Sequence, residues 1–132
     1  MSCRRIRNDQ GSASVGLVLL VVIVIAGAGL IFDGARYLSA ERHASNTAEG
    51  AARAAVATGS PSDGLQAADA RQAAVDHATA LGVPASDVSV SFPTRDTVVV
   101  AITERRSTTF AKFAGASQIV ATAQGRARLE YS

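Results

Sequence analysis

The chain has 132 residues, enough for one small domain, with 13 basic and 11 acidic side chains. Hydrophobic residues make up 48% of it but aromatic residues only 5%, so most of its apolar side chains are small, chiefly Ala and Val. A single cysteine excludes a disulfide framework. Two histidines far apart argue against a metal site. Positive charge is not clustered beyond the first seven residues, which argues against a nucleic-acid binder.

The excess positive charge lies in front of one apolar stretch. The first nine residues hold three arginines and one aspartate, a net charge of 3 − 1 = +2. From Asp33 to Ser132 ten basic and ten acidic residues cancel. An apolar stretch preceded by positive charge is typical of a membrane protein whose N-terminus stays in the cytoplasm.

The apolar stretch is long enough to cross a bilayer. No charged residue occurs from Gln10 to Phe32, and 13 of the 18 residues from Val15 to Phe32 are Val, Leu, Ile or Phe. As a helix those 18 residues would measure about 27 Å, close to the ~30 Å of the hydrocarbon layer. The stretch also lacks the polar stripe of a soluble core helix. We therefore predict a transmembrane helix over residues 12–32, with the C-terminus on the outer side of the cell membrane.

A cleaved secretory signal is the alternative. Ala26-Gly27-Ala28 has the small-residue pattern of a signal peptidase site, and cleavage after Ala28 would release a secreted binding module. Against this, the sequence stays apolar through Phe32, where a secreted protein usually becomes polar. If the helix stays in the membrane, the small residues Gly27 and Gly29 predict either a local kink or, the interpretation we favour, close packing against another membrane helix.

Beyond Phe32 the pattern predicts two helices. Alanines at helical spacing indicate that the first helix continues out of the bilayer for some six turns, with Gly34 and Gly50 as weak points. Its predicted packing face consists of Ala44, Ala48, Ala51 and Ala55. Residues 60–64 then break the helix and offer an N-cap, and a second helix is predicted over residues 65–81.

The period then changes from 3.6 to 2, which predicts strands. Residues 88–92 and 97–103 alternate apolar and polar side chains around turn residues 93–96, as in a hairpin with a four-residue loop. A short helical turn over 108–114 precedes a third strand over 119–129. The predicted fold is α+β: a transmembrane helix that continues as a long helix, a second helix, and a small three-stranded antiparallel sheet covered by the alanines.

The order of these features resembles the type IV pilin plan and, within it, the TadE/TadG-like proteins of the tight-adherence (Flp) pilus apparatus. The motifs that carry the resemblance are Gln-Gly-Ser-Ala-Ser-Val at 10–15, Asp-Gly-Ala-Arg at 33–36, the alanine-rich helix at 46–57, Thr-Phe-x-x-Phe-x-Gly at 109–115, and the alanine-rich strand at 119–127.

The resemblance implies a minor pilin or pseudopilin with a leader at 1–11, a membrane helix at 12–32 and an outer domain at 33–132. A prepilin peptidase would cut between Gly11 and Ser12. Pilins carry glutamate at the fifth mature position to offset a neighbour's free amino terminus, but this chain has Gly16. Because a buried unpaired charge is costly, either the chain is not cleaved, or it is cleaved without packing stably in a filament shaft.

The residues show no pattern for catalysis. His43 and His77 lie on different predicted helices, and Ser12 and Ser14 have no general base nearby in sequence. Phosphate-binding loops and Cys/His clusters are absent from the sequence. We predict no enzymatic activity, no cofactor and no small-molecule substrate. The expected partners are the membrane, other pilin-like subunits and pilus assembly proteins.

Overall fold

The longest element is a single helix that passes from the apolar stretch into the outer domain. A computed structural model describes residues 9–130, and residues 1–8 of the predicted leader lie outside that range. Helix α1 (Asp9–Val56) has 48 residues. It is about 72 Å long at 1.5 Å per residue. The helix is unbroken at Gly34 and Gly50, so the prediction that it continues beyond Phe32 is confirmed.

Residues 60–64, which follow α1, form a loop that is held by hydrogen bonds among its own polar groups. Backbone hydrogen bonds join Ser60 and Gly64 in both directions, at 3.1 and 2.9 Å, and the Asp63 N–H donates to Ser60 Oγ. Helix α2 (Ala67–Ala80) starts two residues later than predicted, with Gln66 at the N-cap and no side-chain hydrogen bond there. The predicted N-cap within residues 60–64 was wrong, because these side chains bond within the loop.

Three antiparallel strands follow, β1 (Val88–Thr94), β2 (Thr97–Ser107) and β3 (Gln118–Arg128), in the order β1-β2-β3. The predicted α+β fold is therefore confirmed. The hairpin turn has two residues, not the predicted four, because Thr94 already pairs with Thr97. Strand β2 extends to Ser107, which pairs with Gln118 at the start of β3.

Asp96 fixes the hairpin turn to the end of β3. Its carboxylate accepts hydrogen bonds from Thr94 Oγ1 at 2.6 Å and from Arg128 Nε at 2.8 Å, and its carbonyl accepts one from the Leu129 N–H. The Thr94 and Arg128 hydrogen bonds lower the pKa of the Asp96 carboxyl below its ordinary value. The turn thus holds β1, β2 and β3 together at one end of the sheet.

The core lies between one face of the sheet and the two helices. Helix α1 packs across β2 and β3, and α2 packs against α1 and β1. Strand β2 supplies Val98, Val100 and Ile102, all with no exposed surface. The helices supply alanines, which let the helix axes approach closely but bury little area per residue. The fully buried alanines are Ala44, Ala48, Ala51, Ala52 and Ala55 from α1 and Ala70, Ala74 and Ala78 from α2.

Candidate functional site

Nearly all residues of the apolar segment, residues 12–32 of α1, are exposed. Its Val, Leu, Ile and Phe side chains are between 49% and 76% exposed, and in this segment only Gly29 is buried. Water-soluble monomers rarely expose a continuous apolar surface of this size. The helix that contains it is long and apolar enough to cross a membrane.

Directly after this segment, Asp33 joins α1 to the junction loop, which we define as residues 108–117 between β2 and β3. Asp33 Oδ1 accepts the Thr109 N–H at 3.1 Å. Asp33 Oδ2 accepts the N–H groups of Phe110 and Ala111 at 2.9 and 2.7 Å. One carboxylate thereby satisfies the three backbone donors at the start of the 3-10 turn Ala111–Ala114.

The charge of Asp33 is stabilised in this position. The side chain is 4% exposed, and burial alone would raise its pKa. The backbone hydrogen bonds from Thr109, Ala111 and Phe110, together with the nearby Arg36 guanidinium, outweigh burial and lower the pKa of the Asp33 carboxyl below its ordinary value. The ionised carboxylate is therefore the form that holds the junction loop.

Arg36, one turn further along α1, makes a second connection to the same region. Its Nη1 donates to Thr109 Oγ1 at 3.0 Å and to the Ser107 carbonyl at 3.3 Å. The guanidinium also lies 5.1 Å from the centre of the Phe32 ring, within the range of a cation–π contact. Asp33 thus accepts from backbone N–H groups of this region, while Arg36 donates to a backbone carbonyl and a side-chain hydroxyl of it.

Phe110 packs the junction loop against the last turns of the apolar segment. Its ring meets that of Phe32 edge-on, with the ring centres 6.4 Å apart. A Cβ atom at Gly29 would lie 2.5 Å from Phe110 Cγ, so only glycine leaves room for this ring. The junction loop therefore contacts a position within the predicted transmembrane helix.

Further along α1, a second glycine contact sets the distance between helix and sheet. A Cβ atom at Gly125 of β3 would lie 2.3 Å from the carbonyl group of Ala48. The two backbones therefore touch, and any side chain at Gly125 would push β3 away from α1. Between the two helices, the imidazole of His77 on α2 packs against Gly50 of α1, where a Cβ atom would lie 2.5 Å from His77 Nε2.

The structure separates the residues that the sequence singled out. Ala44, Ala48, Ala51 and Ala55 lie together beneath the sheet. Gly29 lies against the junction loop of its own chain, whereas a Cβ atom at Gly27 would meet nothing within 4 Å. Gly11 and Ser12 lie near the exposed start of α1, far along the helix from the outer domain. A Cβ atom at Gly11 or Gly16 would meet nothing within 4 Å.

Within residues 9–130, no group of three or more His, Cys, Asp or Glu side chains lies close enough to hold a metal ion. His43 and His77 are partly buried on α1 and α2. Near the C-terminal end of β2, Arg105 pairs with Asp87 and Arg106 pairs with Glu104. These arginines are thus neutralised within the fold.

A comparison with protein families finds a match over helix α1. Residues 11–58 match the model of the family described as "Putative Flp pilus-assembly TadE/G-like". The matched region covers 48 of the 132 residues. The resemblance suggested by the sequence is confirmed for this part of the chain. No curated protein and no solved structure matches the chain significantly.

The TadE/G-like match coincides with one structural element. It covers α1 from just after its start to the turn that follows Val56, and so includes the apolar segment, Asp33, Arg36 and the buried alanines. Helix α2, the sheet and the junction loop lie beyond the matched residues. The match is to a family described as Flp pilus-assembly proteins, and the apolar helix within the matched residues is long and apolar enough to cross a membrane.

Proposed function

We propose that the protein is a non-enzymatic, single-pass minor pilin or pseudopilin that contributes to the assembly of a Tad/Flp-type pilus or a related secretion apparatus. The observation that carries this proposal is one continuous helix with two kinds of surface. Its first half exposes large apolar side chains, its second half is covered by a sheet, and the TadE/G-like match extends over both halves. In this proposal the first half lies in lipid and the sheet is presented outside.

The proposed orientation places the N-terminus in the cytoplasm. The net charge of +2 before the apolar segment, and the cancelling charges after it, support this orientation under the positive-inside rule. Reporter fusions test it. Alkaline phosphatase, which is active only outside the cytoplasm, should be active when fused after Ser132 and inactive when fused before Met1. The reverse pattern would contradict the orientation.

A gene deletion tests the role in assembly. In the bacterium that encodes the protein, deletion should reduce the number of surface filaments while general secretion is unchanged, and a plasmid copy should restore the filaments. An unchanged filament count in the deletion strain would contradict the proposal. A general loss of secreted proteins would indicate a role outside the pilus.

Processing of the N-terminus decides among three mature forms, and sequencing of the native protein distinguishes them. A start at Ser12 would show cleavage after Gly11 by a prepilin peptidase. An intact start would show an uncleaved anchor. A start at Gly29 would support the secreted binding module. The glutamate that pairs with a free amino terminus in pilins is replaced by Gly16 here, so a major-subunit role is not proposed.

Gly27 is the position we propose for contact with another membrane helix. A Cβ atom there would meet nothing within 4 Å, and small residues let helix backbones approach closely in lipid. Gly29 was predicted to act with it, but its free side is occupied by Phe110 of the same chain. The proposed intermolecular contact therefore centres on Gly27.

A further inference from the structure

The junction loop carries two phenylalanines, one of which lies beside the outer end of the apolar segment. Phe110 packs against Gly29 and Phe32, as described above. Phe113 is 84% exposed and is the most exposed of the large apolar side chains described between residues 11 and 130. Between them Lys112, the only lysine of the chain, places its amino group 5.7 Å from the centre of the Phe113 ring.

We propose that Phe110, Lys112 and Phe113 form a second membrane contact, which enters the outer interface of the bilayer that the apolar segment spans. This inference rests on the proposed single-pass topology. The occupant is the lipid of that same membrane. Its acyl chains would contact the two rings, and its phosphate groups would lie near the lysine amino group.

The depth of the junction loop supports this contact. Gly29 lies three residues before Phe32, which is about 4.5 Å further into the bilayer along a helix perpendicular to it. Because the Phe110 ring packs on Gly29, this ring lies at the level of the hydrocarbon boundary, not above it. If the apolar segment spans the membrane, lipid must meet the junction loop.

The local conformation directs Phe113 to the same side as Phe110. The Phe113 N–H donates to the Phe110 carbonyl at 3.0 Å, and Ala111–Ala114 form a 3-10 turn. Side chains three residues apart eclipse each other in a 3-10 helix. Phe113 therefore follows Phe110 on one side of the turn, where a bilayer would cover its exposed ring.

The loop is also held firmly enough to keep this arrangement. Three N–H groups of the junction loop bond to Asp33, and the Thr108 N–H donates to the Ser117 carbonyl at 3.2 Å. Gly115 closes the turn at a φ of 91°, a conformation that favours glycine. Aromatic rings and lysines with apolar stems are residues suited to the interface between lipid and water.

Depth-dependent fluorescence quenching tests the proposal. The chain has no tryptophan, so each Phe113→Trp, Phe92→Trp or Leu20→Trp variant carries a single probe. The full chain is reconstituted, at a low protein-to-lipid ratio, in phosphatidylcholine vesicles with acyl chains brominated either near the headgroup or near the bilayer centre. Phe92, near the hairpin turn at the other end of the sheet, is the matched control for Phe113.

The proposal predicts that Phe113→Trp loses most of its fluorescence with the shallow bromines and little with the deep ones, whereas Phe92→Trp is unquenched by either. Leu20→Trp, within the apolar segment, should be quenched by the deep bromines. If Leu20→Trp is quenched and Phe113→Trp is not, the second membrane contact is overturned and the membrane topology stands. If Leu20→Trp is also unquenched, the topology itself fails.

A second measurement separates lipid from protein contact and checks the fold. A blue-shifted but unquenched Phe113→Trp emission would show that another protein surface covers the ring, which overturns the proposal. Circular dichroism of each variant should match the wild-type spectrum. Phe113→Ser provides an independent check, because it should retain the wild-type Tm in detergent yet reduce the protection of the junction loop from hydrogen exchange in vesicles.

Discussion

The two halves of α1 reverse the usual relation between side-chain size and burial. In residues 12–32 the side chains are large and apolar, yet Ile25 is 58% exposed and Leu20 is 56% exposed. In residues 40–55 the side chains that face the sheet are mostly alanines, and Ala44 and Ala48 have no exposed surface. In water the first half would be the one to bury, because burial of large apolar side chains drives folding.

The reversal shows that the two halves are suited to different surroundings. In lipid a helix gains nothing from packing its leucines and isoleucines against protein, since the acyl chains are equally apolar. In the outer domain the alanines contribute little buried area, but they allow β3 to touch the backbone of α1 at Gly125. The side chains of the first half therefore suit a lipid environment, and those of the second half suit close packing against the sheet.

The largest expected effect comes from truncating the same residue type in both regions. Ile102→Ala should lower the free energy of unfolding of the outer domain by about 3 kcal/mol, because Ile102 is fully buried and leaves a cavity. Ile25→Ala, the matched control, should leave that unfolding unchanged. Thermal unfolding in detergent, followed by circular dichroism of the sheet, measures both. Equal Tm losses in the two variants would contradict the comparison.

The next effect concerns glycine. Gly125→Ala should destabilise the outer domain by about 2 kcal/mol, since its Cβ atom would overlap the Ala48 carbonyl and force β3 away from α1. The control is Gly27→Ala in the apolar segment, where a Cβ atom meets nothing within 4 Å and the urea midpoint should stay the same. Urea titration of both variants provides the measurement. A wild-type midpoint for Gly125→Ala would show that the backbones do not touch.

Asp33, at the boundary between the two halves, should give a smaller effect that depends on pH. Its pKa is lower in the folded than in the unfolded protein. Its contribution to stability is therefore full above the unfolded pKa of about 3.9 and is lost as the pH falls through the folded value.

Measurements of Tm between pH 6 and pH 3 test this contribution. Asp33→Asn should have a lower Tm than wild type at pH 6, and the difference should begin to shrink below the unfolded pKa of about 3.9, where the unfolded wild-type chain binds a proton before the folded protein does. Asp96→Asn is the control for the general acid effect, since the Asp96 pKa is lowered as well but at the opposite end of the sheet. A difference for Asp33→Asn that does not change with pH would contradict the role of its charge.

The smallest effect is expected from the two glycines near the end of the apolar segment. Gly27→Leu should reduce association with other membrane helices by a fraction of a kcal/mol to about 1 kcal/mol, because it blocks close backbone approach. Gly29→Leu should instead displace Phe110 and expose the junction loop to hydrogen exchange. Energy transfer between labelled chains in vesicles compares the two. Equal loss of association would show that both glycines face a neighbouring helix.

The helices and strands were largely predictable because their signals are local. The alternation of Val98, Val100 and Ile102 predicts which side of β2 faces the core, and the structure has all three buried. The end of β2 was predicted too early, since Glu104–Ser107 show no apolar alternation. That part of the strand is defined by its pairing with β3, from Glu104 opposite Ala121 to Ser107 opposite Gln118. Local patterns do not contain such pairings.

The contact between α1 and the junction loop could not be predicted from local sequence patterns for the same reason. The partners of Asp33 lie 76 to 78 residues away in sequence, and they are backbone groups that leave no side-chain signature. The sequence did indicate Asp33-Gly34-Ala35-Arg36 as part of a family resemblance, but gave no contact for it. The close approach at Gly125 was equally hidden, because a glycine in a strand does not identify the backbone it meets.

The unbroken course of α1 has a geometric consequence for how the outer domain is aimed. Seven of the nine buried positions described in α1 follow one another at intervals of three, four or seven residues: Gly29, Asp33, Ala40, Ala44, Ala48, Ala51 and Ala55. One side of α1 thus contacts both the junction loop, through Gly29 and Asp33, and the sheet, through the alanines. Inserting one residue between Arg36 and Ala40 would rotate the alanine face by about 100° about the helix axis relative to Asp33 and Gly29. The number of residues between Asp33 and Ala40 therefore sets the direction, around the axis of α1, in which the sheet faces.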